Sequence, residues 1–401
     1  MSIPMSDRRP EPTVPGIPAA ARDPRPGLSG FPADELSAWL ESRGEAAYRG
    51  RQVADWLWRR HAADFEEMRT LPGPLRAALA GDFRADTLDD SAVRPTDRGL
   101  TEKALHRLLD GQLVESVLMR YPGRPGYRER ATVCISIQAG CAVGCPFCAT
   151  GELGFGRDLD AAEIVDQVRF WARRLAGSGR HVTNVVFMGM GEPLLNLDAV
   201  LAAAAALTDP ARFGLGGRHV TVSTSGVTPG IERLTALRPS WTLAVSLHAA
   251  RPSLRDVLVP LNRRYPVEGV IEAASAYADA TGRRVSYEYV MIDGVNDTPA
   301  DAAAAAALLR GRLAHVNLIP MNPVAHTAWL PSRPERIEPF AAMLRGAGIA
   351  TTIRRTRGDE IGAACGQLAA ERGGMPAPAT VRRRREQLER AGAASLAGRS
   401  G

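Results

Sequence analysis

The sequence predicts an α/β protein: a partial, TIM-like (β/α)6 barrel preceded by a small helical domain. Three observations predict it. From Ala131 onward, β-branched runs alternate with helical apolar patterns, each pair separated by a short loop. The unusual motifs all fall just after strand candidates, where the active site of a β/α barrel lies. Before Arg98, by contrast, apolar residues recur only at helical spacing.

Taken in order, residues 1–30 are Pro-rich, polar and aperiodic, and a disordered extension is expected there. Residues 31–98 predict a helical accessory domain, on Leu36, Trp39 and Leu40 and on Val53, Trp56 and Leu57, with Pro72 and Pro74 breaking the pattern. Its segment Tyr48 to Arg60 sets arginines among aromatics, a composition suited to RNA and equally to a packed bundle with a charged face. Gln112 to Tyr121 alternates like a strand. The barrel strands are expected at Thr132–Gln138, Val182–Met188, His219–Ser223, Thr242–Leu247, Arg284–Ile292, His315–Ile319 and Ala350–Arg355. Helices are expected at Ala161–Leu175, Leu197–Leu207, Ile231–Leu237, Val267–Ala280, Ala300–Leu313 and Arg336–Gly346. The core thus spans 99–372, and 373–401 forms a basic tail.

A chain of 401 residues buries a substantial core, and its longest apolar stretches are too short to cross a bilayer. No apolar signal segment opens the sequence, so a cytoplasmic protein with reduced thiols is expected. The net charge is +6, and Lys103 is the lone lysine. Arginine clusters at Arg120, Arg124, Arg128 and Arg130, at Arg354, Arg355 and Arg357, and at Arg382 to Arg385 suit phosphate recognition. Codon bias in a GC-rich genome accounts for the same arginines without a partner.

The chemistry collects around cysteine. Cys141-x3-Cys145-x2-Cys148 follows the first barrel strand, and Cys365 stands alone far downstream. Three thiolates hold three corners of a 4Fe-4S cluster and leave one iron open to a ligand. Read by spacing alone, the triplet also fits a zinc knuckle, with Cys134, His181 or Cys365 as fourth ligand. After the second strand comes Met188-Gly-Met-Gly191-Glu192-Pro193, in which glycines let a carboxylate approach an ammonium. Ser223, Ser246, Leu247, His248 and Asn322 end later strands, and their hydroxyl, imidazole and amide groups suit ribose, carboxylate and adenine.

The cysteine triplet followed by Gly-Glu-Pro resembles the radical S-adenosylmethionine superfamily. More narrowly, residues from about Ala33 to Ala370 resemble the RlmN family of adenine-C2 RNA methyltransferases. The segments that carry this are Tyr48 to Met68, Leu113-Val-Glu115, Ala131 to Cys141, Phe187 to Asn196, Tyr287 to Asp297 and Arg357 to Leu368. The resemblance implies a 4Fe-4S cluster on Cys141, Cys145 and Cys148, and S-adenosylmethionine held by Gly191, Glu192, Ser223, Ser246, Leu247, His248 and Asn322. It implies two molecules of S-adenosylmethionine per turnover, a methyl carrier at Cys365, a resolving thiol at Cys134 that forms a disulfide with it, and a proton acceptor at Glu115. Implied partners are 23S rRNA, tRNA beside the anticodon, and an electron donor such as flavodoxin or ferredoxin, acting on a monomer. The linker Arg120 to Arg130 departs from the pattern in length, as do Ile137 and Met321 in residue type. Two rivals stand beside this reading. One is the related Cfr type, which methylates C8 of the rRNA adenine and against which the long N-terminal helical segment argues. The other is a non-catalytic zinc- or cluster-binding RNA protein, in which Cys365 and Glu192 would be idle.

Overall fold

The computed structural model describes residues 23–123, 125, 126, 128–354, 362–364 and 366–368. The chain opens with helices α1 (Ala33–Glu41) and α2 (Tyr48–Ala54), continues through a wide turn at Asp55–Arg59, and reaches α3 (Gly73–Asp82). Leu40, Val53, Leu57, Phe65, Leu75 and Leu79 bury their side chains in a core continuous with that of the barrel.

Strands β1 (Leu88–Thr96), β2 (Thr101–Leu108) and β3 (Leu113–Tyr121) form an antiparallel meander, and β4 (Arg130–Cys134) pairs antiparallel with β3. The short β5 (Gln138–Gly140) pairs with β6 (Phe155–Asp158) across helix α4 (Ala149–Leu153). The β/α rhythm then runs α5 (Ala161–Ala176), β7 (Asn184–Phe187), α6 (Leu197–Thr208), β8 (Val220–Thr224), α7 (Thr228–Leu237) and β9 (Thr242–Ser246). It continues with α8 (Pro252–Leu258), α9 (Val267–Thr281), β10 (Val285–Met291), α10 (Pro299–Leu309), β11 (Ala314–Pro320), α11 (Pro334–Gly346) and β12 (Ala350–Ile353). The order across the main sheet is β1-β2-β3-β4-β7-β8-β9-β10-β11-β12, parallel from β4 onward. β1 and β12 remain as edges, so the curled sheet is a partial barrel with the six expected β/α units.

Alternation explains which face does what. Val133, Val185, Phe187, Val222, Val245, Tyr287, Val316 and Leu318 are sealed under the helices. The intervening Ser223, Ser246, Glu288 and Asn317 line the concave face. Helices α5 and α10 begin with reciprocal capping boxes, Asp160 with Glu163 and Thr298 with Asp301, which fix where each helix leaves its strand. The alanine-rich α6 and α10 lie on the outside of the sheet, burying Ala203, Ala204 and Leu207, and Ala302, Ala305 and Leu309, and exposing Ala202, Ala205, Ala303 and Ala307.

Three expectations need correction. Residues 23–30 are packed: Leu28 donates to the Arg84 carbonyl at 2.9 Å, Arg84 donates to Pro26 O at 3.0 Å, and Leu28 and Ser29 are buried. Gly27 and Gly30 make this possible, because a Cβ at either would strike Ala162 at the start of α5, at 2.3 and 2.6 Å. The rest of that extension, 1–22, lies outside the described residues, as do 369–401 and with them the basic tail. Second, the helical pattern ends at Asp82, and Leu88–Thr96 is an edge strand of the main sheet. Pro95 falls there without penalty because an edge strand leaves one row of N–H positions unpaired. Third, the expected strand Thr132–Gln138 is split: Ile135 still donates to Val186 O of β7, but Ile137 and Gln138 donate to Met190 O of the loop after it, and Gln138 opens β5.

Helical segment and barrel are stitched by α5. Arg169, fully buried, donates to Leu57 O at 3.3 Å and Ala85 O at 3.0 Å, and also to Ala62 O and Asp166. Asp166 in turn accepts from Thr87 N at 2.9 Å and Thr87 Oγ1 at 2.8 Å. Among the described residues no helix is long and apolar enough to cross a membrane.

Candidate active site

The cysteine loop leaves β5 through a turn that only glycine allows. Gly140 has φ 85°, and a Cβ there would lie 1.9 Å from the Gly154 carbonyl oxygen. Closing the other end, Gly154 O accepts from Cys141 N at 2.9 Å. Gly151 presses against the backbone of Cys145 so closely that a Cβ would meet its carbonyl oxygen at 2.6 Å. The three cysteines are half-buried and pack against a second apolar cluster, made of Val143, Phe147, Ala249, Leu258, Val290, Ile319 and Met321 among others. That wall joins the cysteine loop to the ends of β9, β10 and β11.

Burial pushes the Cys141 thiol up to about 12, Cys148 and Glu192 push the same way, and the N–H groups of Val143 and Gly144 oppose them. A cation seated on these sulfurs would invert that balance. Three thiols on one loop, backed by an apolar wall, are a donor set that fits a 4Fe-4S cluster.

The Met188–Pro193 loop is zipped onto the strand that leads into the cysteines. Ile137 N and Gln138 N both donate to Met190 O, at 2.8 and 3.1 Å, and Met190 N donates to Ser136 Oγ at 2.9 Å. Gly189 and Gly191 permit this approach, since a Cβ on either would sit 2.6 Å from Ile135 or Gln138. Glu192, 3% exposed, is held on three sides. Its N–H donates to Gln138 Oε1 at 2.9 Å, Oε1 accepts from Leu194 N at 3.1 Å, and Oε2 accepts from both Ser225 N and Ser225 Oγ at 2.7 Å. Burial raises the pKa of this carboxyl, against the pull of those hydrogen bonds.

Ser223 is the penultimate residue of β8, two residues before Ser225, and Ser246 ends β9. Leu247 and His248 follow, both buried, with His248 at φ 56°. Its Nδ1 accepts from Val290 N at 3.1 Å, which leaves a neutral ring; burial drives its pKa down to about 3, with Arg255 adding to the effect. The ring stands edge-on to Phe147 of the cysteine loop at 4.8 Å. Asn322, buried, follows β11 beside Met321 of the apolar wall. Next to Ser246 on the concave face, Glu288 accepts from Ser286 Oγ at 2.8 Å and Asn317 Nδ2 at 2.9 Å through Oε1, while its buried Oε2 has no hydrogen-bond partner among the described residues. An acceptor so placed suits a ligand bearing hydroxyl or amino groups.

Glu115 and Cys134 share one face of the neighbouring wall. Strand register sets Cys134 opposite Val117, and Glu115 lies two residues along the same face. Both are buried, and Glu115 Oε1 is 2.9 Å from Lys103 Nζ. Cys365 lies outside the described residues, but its flanks do not. Gly366 O accepts from Ala149 N, the residue after Cys148, at 2.7 Å; Leu368 O accepts from Thr150 Oγ1 at 2.6 Å; and Gln367 Nε2 donates to Pro323 O at 2.9 Å.

Several site residues escaped the sequence. Arg255 is fully buried and donates to Leu247 O at 3.0 Å, Ser225 O at 2.8 Å, Ser246 O at 3.0 Å and Asn262 Oδ1 at 2.9 Å, so it ties the loops after β8 and β9 together. Burial lowers its pKa to about 10, and Cys145 counters part of that effect. Nothing distinguishes it in sequence from the other arginines. Ser225 and Gln138 both lie inside motifs already singled out, so only their partners were unforeseen.

Comparison with known proteins fits this geometry. Residues 135–306 match the radical SAM superfamily model, and residues 27–84 match the ribosomal RNA large subunit methyltransferase N-terminal domain. A probable dual-specificity RNA methyltransferase RlmN of Parafrankia sp. is 51% identical over 353 residues, covering 84% of this chain and 90% of that protein. The chain belongs to the RlmN family. A second RlmN relative, from Thermobifida fusca, is 50% identical and covers 82% of this chain and 90% of its own length. The crystal structure of a radical SAM methyltransferase from Sphaerobacter thermophilus superposes with a TM-score of 0.83 at 48% identity, over 86% of this chain and 99% of that one. As RlmN family members do, the chain works with a 4Fe-4S cluster and S-adenosylmethionine.

Proposed function

We propose that this enzyme methylates C2 of adenosine in 23S rRNA and of the adenosine beside the anticodon in tRNA, with Cys365 as methyl carrier. When bound, the cluster and two molecules of S-adenosylmethionine per turnover supply the methyl group and the radical chemistry that an unreactive aromatic carbon requires. Cys141, Cys145 and Cys148 hold the cluster, and the apolar wall keeps water from it. Glu192 receives the cofactor's ammonium, and Gly191, Ser223, Ser246, Leu247, His248 and Asn322 line the remainder of its bed. A flavodoxin or ferredoxin reductant, a cytoplasmic setting and a monomeric enzyme complete the proposal.

The chain's own residues then finish the reaction. Glu115 takes the C2 proton from the adduct in which the carried carbon joins Cys365 sulfur to adenine, and the one electron left over would return to the bound cluster, so that the adduct becomes closed-shell. Cys134 attacks that sulfur, an S–S bond forms as the S–C bond breaks, and the released carbon takes a proton to become the methyl product. The disulfide returns to two thiols through an external reductant. The observation that supports this best is the attachment of the chain just after position 365: Gly366 and Leu368 bond to Ala149 and Thr150, the two residues that follow Cys148. The helical segment 33–82, with its exposed arginine–aromatic pairs, offers the RNA surface, and splayed nucleotides bring the adenine edge within reach.

Anaerobic reconstitution followed by nucleoside mass spectrometry tests the reading. About four irons per chain and 2-methyladenosine in rRNA and tRNA are expected, with Cys365→Ala giving no product. Appearance of 8-methyladenosine instead would move the enzyme to the Cfr type, and one bound zinc without turnover would make it a binding protein.

A further inference from the structure

The lone lysine of an arginine-rich chain stands at the junction of two proposed catalytic parts. Lys103 lies on β2 opposite Val117, which in turn opposes Cys134 of β4, so lysine, base and resolving thiol share one face. Its ammonium pairs with Glu115 Oε1 at 2.9 Å, with the lysine side chain 12% and the glutamate 2% exposed. The same Nζ donates to the Gly362 carbonyl at 3.4 Å, three residues before Cys365. We infer that Lys103 is the positioning residue for proton abstraction, holding Glu115 charged and aimed while tethering it to the segment that bears the carrier cysteine. This rests on Glu115 as base and Cys365 as carrier.

The residue type follows from the geometry. A carboxylate so far from water keeps its charge only beside a cation, and alone it takes up a proton and ceases to be a base. An ammonium directs three donors around a point and so serves a carboxylate and a carbonyl on different segments, which a planar guanidinium fork does less well. Among the described residues the other polar groups nearby have their own tasks. Cys134 of β4 stands opposite Val117 and diagonal to Glu115, and Gln138 of β5 is bonded to Asp158 and Glu192. Arg157 of β6 pairs with Asp110 and Glu163. On the far face of the meander, Glu102 pairs with Arg120 and Arg174, and His106 sits between Ser91 and Ser116.

The test is single turnover with RNA by the reconstituted holoenzyme. Lys103→Ala should still acquire the methyl group on Cys365, accumulate the covalent protein–RNA adduct, and release product about a hundredfold more slowly, the loss typical of a disabled general base. Ethylammonium should restore release, and ethanol should not. Lys103→Met, which keeps the stem's packing, should trap the same adduct. Glu115→Gln, run alongside, should trap it too and ignore ethylammonium. Free release by Glu115→Gln would overturn the base itself. Trapping by Glu115→Gln with free release by both lysine variants, or a loss in those variants that extends to Cys365 methylation and resists ethylammonium, would overturn the role of Lys103 alone.

Discussion

The barrel mouth and the N-terminal helices use the same residue, arginine, in opposite ways. At the mouth Arg255 is wholly buried, and four acceptors from three loops converge on it. On the helical segment Arg43 lies over Trp39 at 4.0 Å and Arg60 over Trp56 at 4.5 Å, each also reaching an exposed aspartate, Asp82 or Asp55. Buried, the guanidinium is a strut whose loss strands several carbonyls; exposed, it is a charge held flat on a ring and available to a phosphate. The difference teaches that arginine count says little about RNA affinity until exposure is known. Arg120 makes the point. It belongs to a cluster read as phosphate-binding, yet it donates to Glu102 at 2.7 Å and to Gly99 O inside the meander.

The contrast is most sharply drawn by substituting the strut. Arg255→Met should lower stability by about 3–5 kcal/mol, since each buried acceptor left unmatched costs about 1–3 kcal/mol, and cofactor binding should fall with it. Denaturant unfolding and S-adenosylmethionine titration read both, and a variant as stable as the parent would erase the distinction. A second buried group sharpens it through pH. His106 accepts and donates between Ser91 Oγ and Ser116 Oγ, both at 2.7 Å, and burial depresses its pKa to about 3. The unfolded chain binds that proton near pH 6.5 and the folded one does not, so its contribution is present above 6.5 and is lost as pH falls toward 3. The loss runs at about 1.4 kcal/mol per pH unit, and His106→Gln should flatten that part of an unfolding curve measured between pH 6.5 and 4. Smallest of all, Arg43→Ala with Arg60→Ala should change stability by less than about 1 kcal/mol. The same pair should reduce the salt dependence of RNA binding, by about 0.7–0.9 in slope per arginine that meets a phosphate. An unchanged slope would leave those pairs as surface decoration.

Much was legible because it is local. The strand–loop–helix rhythm fixed six β/α units, and the capping boxes at Asp160 and Thr298 set helix starts within a residue or so of expectation. The cysteine spacing and the glycines around Glu192 marked the cysteine loop and the loop packed beside it, since the close approach of the two backbones requires those glycines. Composition misled where packing overrode it: the Pro-rich 23–30 is held by Arg84 and α5, and Leu88–Thr96 joined the sheet because a partner strand was available.

The sequence by itself therefore determined the β/α frame and the cluster-binding chemistry, because periodicity, turn glycines and thiol spacing act over a few residues. Only the tertiary structure decided that Lys103 meets Glu115, that Arg255 braces two loops, and that Ser225 holds Glu192. Those pairings depend on strand register and on loops from separate strands converging at one end of the barrel, and neither is written in any short stretch of chain.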